Sequence, residues 1–267
     1  MLPRDRLRAT VTGDAPIAAA ISTFGIELRD VEPGRVTAEL AAVPAAVVHG
    51  PGAVLVLADY AVTTAVFSTM TVDHQLSTLT LQFSELGAPA GPGAEVLATA
   101  QAFPVGADAA VSTVELTRAD GAPLARATGR CALFSPTPGG GQQRIPRGST
   151  VTGFADLQVV AAADGLGTAV VAAPAFANSE GVLHGGVAAA VIADALAGGL
   201  DAVAPRLAGA PTDYEVTFLR GLPADGARVT TRTSPVRVGA RFAVVRAELH
   251  DAAGRLVVVG MASRWRG

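Results

Sequence analysis

The chain has 267 residues, half of them hydrophobic and 16% charged, with a formal net charge of −3 and a pI near 5.8. That is enough apolar material for one large domain or two ordinary ones, and it offers no basic field to attract nucleic acid or an anionic membrane, so neither is expected as a partner. The single cysteine, Cys131, excludes an internal disulfide and has no Cys or His at metal-ligand spacing, so a core thiol in a reducing compartment is expected, without a metal or other cofactor.

The N-terminal "MLPRDRLRATVTGDAP" is charged and has no apolar stretch of signal-peptide length behind it, which points to a cytoplasmic protein. An extended segment follows, "RVTAELAAV" from Arg35, and then "VVHGPGAVLVLADYAV" from Val47, which is apolar on nearly every side. Such a helix is buried on most of its circumference rather than lying on a surface. "STLTLQFSELGAP" from Ser77 opens a series of four strands with Thr/Val/Phe alternation and Gly-containing turns. Past the polar, Pro/Gly-rich "SPTPGGGQQRIPRGS" the order repeats: extended "GTAVVAAPA" from Gly167, the apolar "VLHGGVAAAVIADALA" from Val182, then "TDYEVTFLRGLPA" from Thr212 and further strands.

The repetition holds residue by residue. His49 matches His184 and Asp59 matches Asp194 at a constant offset of 135, and Ser77 with Thr212 and Phe83 with Phe218 keep it. The chain therefore reads as a tandem duplication with domains at 1–134 and 155–267 and a linker at 135–154. Each half holds about one helix and five or six strands, which opposes a regular βαβ alternation and predicts an α+β fold, an antiparallel sheet curved around a central helix.

Both helices carry one carboxylate in apolar surroundings. Burying it unpaired costs several kcal/mol or more, so Asp59 and Asp194 are expected to be paired or used. Gly185 and Gly186 open the second helix, where the first N–H groups lack intrahelical partners and the dipole is positive, an arrangement suited to a developing oxyanion.

With "NSEGVLHGGVAAAVIADALAG", "PTDYEVTFLRGLPADGARV" and "VGARFAVVRAELHDAAGRLVV", the chain resembles the hotdog-fold acyl-CoA thioesterases, specifically the PaaI-like (phenylacetate-pathway) family, here as a double hotdog. The resemblance implies hydrolysis of an acyl-CoA or related thioester at a site shared between facing units, one giving the Asn and the glycines and the other an acid that acts as general base on a water or attacks the carbonyl directly to give an anhydride. It implies roles for Asn178, His184, Gly185 and Gly186 together with Asp59, and for His49 and Gly50 with Asp194. Ser77 and Thr212 stand where the family often places a water-positioning residue. Double units are expected to associate into a homo-oligomer.

Two departures stand out. The acid follows its histidine by ten positions in both halves, one more than is common in the family, which turns a helical side chain by about 100°. The common spacing is taken to mean a helix start displaced equally in both halves. The first half also lacks an upstream Asn and has Pro51 in place of the second glycine, so its donor set is incomplete. A hotdog enoyl- or 3-hydroxyacyl-thioester hydratase or dehydratase, and a non-catalytic acyl-thioester binding module, are the competing functions; the Asp-x4-His signature of the hydratases is missing.

Overall fold

Period-2 burial along the strands and all-round burial along two helices build the molecule. The computed structural model describes residues 3–15, 17–44, 50–71, 74–104, 106–135, 160–161 and 167–266. In chain order these form α1 (Pro3–Val11), α2 (Ala19–Thr23), β1 (Ile26–Glu32), β2 (Arg35–Leu40), α3 (Ala53–Thr69), β3 (Gln75–Glu85), β4 (Val96–Pro104), β5 (Ala109–Arg118) and β6 (Pro123–Phe134). The second half gives β7 (Val160–Ala161), β8 (Thr168–Val171), α4 (Gly185–Val203), β9 (Thr212–Phe218), β10 (Arg228–Val238), β11 (Phe242–His250) and β12 (Leu256–Trp265). Residues 136–159, which hold nearly all of the expected linker, lie outside the described residues, as does His49.

All twelve strands join one sheet in the order β1-β2-β4-β5-β6-β3-β9-β12-β11-β10-β8-β7. Every pairing is antiparallel, and the second half reverses the order of the first strand for strand. The halves meet at β3 and β9, from Thr80 opposite Thr217 to Ser84 opposite Asp213. The expected α+β class holds. One face of the sheet covers the helices: α3 packs on β2, β4 and β5, and α4 on β10, β11 and β12. This is the hotdog arrangement, present around each of the two long helices.

The two helices also touch each other. A Cβ placed at Gly186 would fall 2.7 Å from the Val56 Cα, so glycine is what allows the N-terminus of α4 to approach the middle of α3. The helix α4 has the length and hydropathy of a membrane span, but 72% of its apolar window is buried within the protein, and that burial accounts for its composition.

Two features differ from the sequence reading. The short helices α1 and α2 were not anticipated, because "PRDRLRATV" is too charged for an apolar stripe, although Pro3 at its start and Asp5 in its first turn are helix-start signals. The long helices do not begin at equivalent positions either. α4 begins at Gly185, immediately after His184, whereas α3 begins at Ala53, three residues beyond the counterpart of Gly185. Gly50 and Gly52 take left-handed φ values of 76° and 48° on either side of Pro51 and hold the chain out of the helix there.

Candidate active site

A cavity of about 550 Å³ lies where α3, β3 and the start of α4 meet. Asp59, Asn178, His184, Gly185 and Ser77 all line it, so it joins an acid from one half to the donor loop of the other.

Asp59 is only 2% exposed, and the structure shows what compensates for its burial. Its Oδ1 accepts a hydrogen bond from the Thr78 hydroxyl at 2.9 Å. Its Oδ2 lies over the first residue of α4: a Cβ at Gly185 would sit 2.9 Å from it. The carboxylate therefore rests at the positive end of the α4 dipole. Cys131 pairs across the sheet with Thr78, and burial, reinforced by the Asp59 charge, pushes its thiol up to about 12. It is the inert core cysteine expected from the sequence.

His184 is the N-cap of α4, and its Nδ1 accepts a hydrogen bond from the Gly186 N–H at 3.1 Å. The same nitrogen is 3.5 Å from Asp59 Oδ2, an ion pair only if the ring is protonated. Burial lowers the His184 pKa, with Asp59 opposing as the smaller influence, so the ring is neutral, accepts at Nδ1 and carries its proton on Nε2. One expectation changes with this geometry: the Gly186 N–H is already held by His184, and the missing Cβ of Gly186 permits the close helix contact. The free donor at this helix end is Gly185, whose N–H has no intrahelical acceptor.

Asn178 precedes this start in a tight turn, with its Oδ1 accepting from the backbone N–H groups of Glu180 and Val182 at 2.9 and 3.1 Å. Its amide oxygen is thus occupied, and the group it has left for the cavity is the NH₂ donor. Ser77 is exposed, and it is the adjacent Thr78 that bonds the acid. The duplication aligns Ser77 with Thr212, and strict alternation from the buried Leu81 and Phe83 also favours Ser77; a β-bulge between Thr78 and Thr80 shifts the facing by one residue and turns Thr78 to the acid instead.

The counterpart site is filled. Thr212 is buried, with its N–H on Glu85 Oε2 at 2.9 Å and its hydroxyl accepting from Arg264 Nε at 3.0 Å. Arg264 also pairs with Asp201 at 2.6 Å. Burial raises the Glu85 pKa, partly offset by the Thr212 N–H and by Arg264. The Tyr214 hydroxyl would lie 3.3 Å from a Cβ at Gly50, so its ring packs where the first-half loop would open a pocket. Only about 60 Å³ remains beside Gly50, and Asp194, 6% exposed and engaged within the protein, lines neither cavity. Leu79 and Arg220, which match Tyr214 and Glu85 at the 135-residue offset, line the large cavity instead. Among the described residues no group of three or more His, Cys, Asp or Glu is placed to hold a metal ion.

Residues 173–265 match the family model of the acyl-CoA thioesterase N-terminal domain, which here falls in the second half of the chain. No curated protein sequence matches the chain. Among solved structures the fold is similar to that of a candidate thioesterase II from Thermobifida fusca YX, at TM-score 0.61 and 16% identity over 94% of this chain and 100% of that one. It is likewise similar to the acyl-CoA thioesterase II TesB2 of Mycobacterium marinum, at TM-score 0.58 and 16% identity over 92% and 98% of the two chains. The 12:0-ACP thioesterase of Umbellularia californica matches at TM-score 0.52 and 11% identity, over 87% and 94%.

Proposed function

We propose that the chain is a thioesterase that hydrolyses an acyl-CoA or related acyl thioester in the large cavity, with Asp59 as the acid that works. The observation that carries this reading is the juxtaposition of the buried Asp59 carboxylate, held by Thr78, with the unfilled start of α4. The family match over residues 173–265 supports the same chemistry.

A thioester carbonyl lying against Gly185 would meet its N–H, the α4 dipole and the NH₂ of Asn178 as negative charge develops on oxygen. Asp59 takes a proton from a water as that water's oxygen attacks the carbonyl carbon. The tetrahedral intermediate then expels the thiolate, which leaves without an acid because a thiol is far more acidic than an alcohol. His184 acts as a neutral cap that holds the helix start in place. The chain's reversed strand order supports reading it as two hotdog units, 1–134 and 155–267, of which the pair has kept one site.

Asp59→Asn against Asp194→Asn tests the assignment. We expect the first to lower acyl-CoA hydrolysis by about 10²–10⁴-fold, the range for losing a positioned base, and the second to retain most of it, with thermal melts confirming the fold of both. Full activity in Asp59→Asn would overturn the proposal.

A further inference from the structure

The large cavity extends well beyond Asp59. One face of α1 lines it through Pro3, Arg6, Leu7 and Thr10, at i, i+3, i+4 and i+7, and Ile17 and Ile21 continue this wall. Opposite run Thr63, Thr64 and Phe67 of α3. We infer that α1 and α2 form the wall of an acyl chamber that accepts an unsubstituted aliphatic chain of medium length, with Leu7 and Phe67 setting its end. This rests on the thioesterase reading and names the substrate class within it.

Two observations point to an apolar occupant. The partly buried hydrophobic residues Leu7, Ile17, Phe67 and Leu76 all pack against the core and all line this cavity, so they share one concave space. The hydroxyls on the same walls are already engaged. Thr10 donates to the Arg6 carbonyl at 3.1 Å and Thr63 to the Asp59 carbonyl at 2.9 Å, while Tyr60 and Thr64 bond each other. Arg6 is likewise engaged within the protein, so along these walls the groups left to meet a ligand are mainly the apolar ones.

Phe67 lies eight residues beyond Asp59 on α3, which is about 12 Å along the axis. An extended acyl chain advances about 1.25 Å per carbon, so about eight to ten carbons reach from the reacting carbonyl to Phe67. The wall is tied to the donor loop: the Ala20 N–H bonds the Ala177 carbonyl at 3.1 Å, the Thr23 hydroxyl bonds the Ala175 carbonyl at 2.8 Å, and the Phe24 and Phe176 rings are 6.0 Å apart. A chain seated against α2 therefore bears on the segment that leads into Asn178.

Unreactive S-alkyl-CoA thioethers of graded length, bound to the full chain and followed by calorimetry, test this separately from hydrolysis. The unaltered protein is expected to gain about fourfold in affinity per methylene up to about eight to ten carbons and then level. Leu7→Trp should cut octyl binding at least about tenfold while leaving methyl binding unchanged, and Phe67→Ala should move the plateau to longer chains. Phe67→Ala carries the test alone if Leu7→Trp fails to fold. Identical profiles in the folded variants, no gain with length, or equal binding of an ω-carboxyalkyl thioether would overturn the chamber. Thioether binding with the expected profile but no acyl-CoA turnover would uphold the chamber and sink the hydrolytic reading; turnover without length dependence would do the reverse.

Discussion

Gly185→Ala is the substitution that separates chemistry from folding at this site. Gly185 has no left-handed backbone requirement, so alanine is allowed at the start of α4 and slightly favours the helix, by up to about 1 kcal/mol in helix interiors. Its Cβ, however, would stand 2.9 Å from Asp59 Oδ2, about 0.5 Å inside ordinary contact. Backbone does not oppose it; the tip of a carboxylate does, so that tip moves. The movement works against the 2.9 Å bond from Thr78 to Oδ1 and turns the oxygen away from the helix end. A displacement of about 1 Å at a reacting group costs about a hundredfold, so kcat should fall by about 10- to 100-fold with an unchanged or slightly raised Tm.

Gly186→Ala is the control. Its Cβ would meet the Val56 Cα at 2.7 Å and the Val56 carbonyl oxygen at 3.1 Å, both backbone atoms of the facing helix. Overpacking of that kind costs about 1–3 kcal/mol, or a Tm lowered by several degrees for a chain of this size. Steady-state hydrolysis of a medium-chain acyl-CoA and scanning calorimetry on both variants decide the matter. Near-normal kcat in Gly185→Ala, or a loss that merely follows Tm as in Gly186→Ala, would refute the placement of Asp59 at the helix start.

Thr78→Val, which keeps shape and removes the donor, should lower kcat about tenfold or more by freeing the Asp59 carboxylate, whereas Ser77→Ala should leave it within about twofold; the same hydrolysis assay reads both. The burial of His184 sets a pH dependence of known sign. Its folded pKa lies below the ordinary 6.5, so below that pH the unfolded chain binds a proton that the folded chain excludes. The stabilisation from the neutral ring is complete above about 6.5 and is lost as pH falls toward the folded value. Tm should decline over that acid window, and His184→Asn, which keeps an N-cap acceptor but does not titrate, should flatten the decline.

The plan of two long helices against one antiparallel sheet was legible because its signals are local and recur: two all-apolar helices, alternating strands, and one offset joining His184, Asp194 and Thr212 to their counterparts. The pairing of Asp59 with the second-half donor loop could be anticipated only through the resemblance, and the cavity at the junction of the halves supports it. Three things were hidden. Whether Gly185 or Gly186 gives its N–H depended on which backbone group the His184 ring accepts from. Alignment to a repeat transfers a position and so points to Ser77, whereas the bulge between Thr78 and Thr80 reverses the facing by one residue. The helix α1 had too little apolar periodicity to be seen, since its cavity-lining face includes Arg6 and Thr10.

In the sequence the first-half donor loop lacks two parts, an upstream Asn and, at Pro51, an N–H for an oxyanion. The structure adds a further difference. α3 begins at Ala53, so the first helical residue stands three positions, or about 4.5 Å of helix rise, further on than α4's does relative to its own motif. No helix end is presented at Gly50, and the space beside it holds Tyr214, with Arg264, Thr212 and Glu85 bonded together nearby. Restoring glycine at position 51 supplies an N–H but leaves the Gly50 and Gly52 turns and the Tyr214 ring where they are. Pro51→Gly in the Asp59→Asn background is therefore expected to recover no hydrolysis above Asp59→Asn alone, measured with the same acyl-CoA panel. Recovery by tenfold or more would mean that the missing N–H was the whole defect and that Asp194 is a competent acid awaiting its donor.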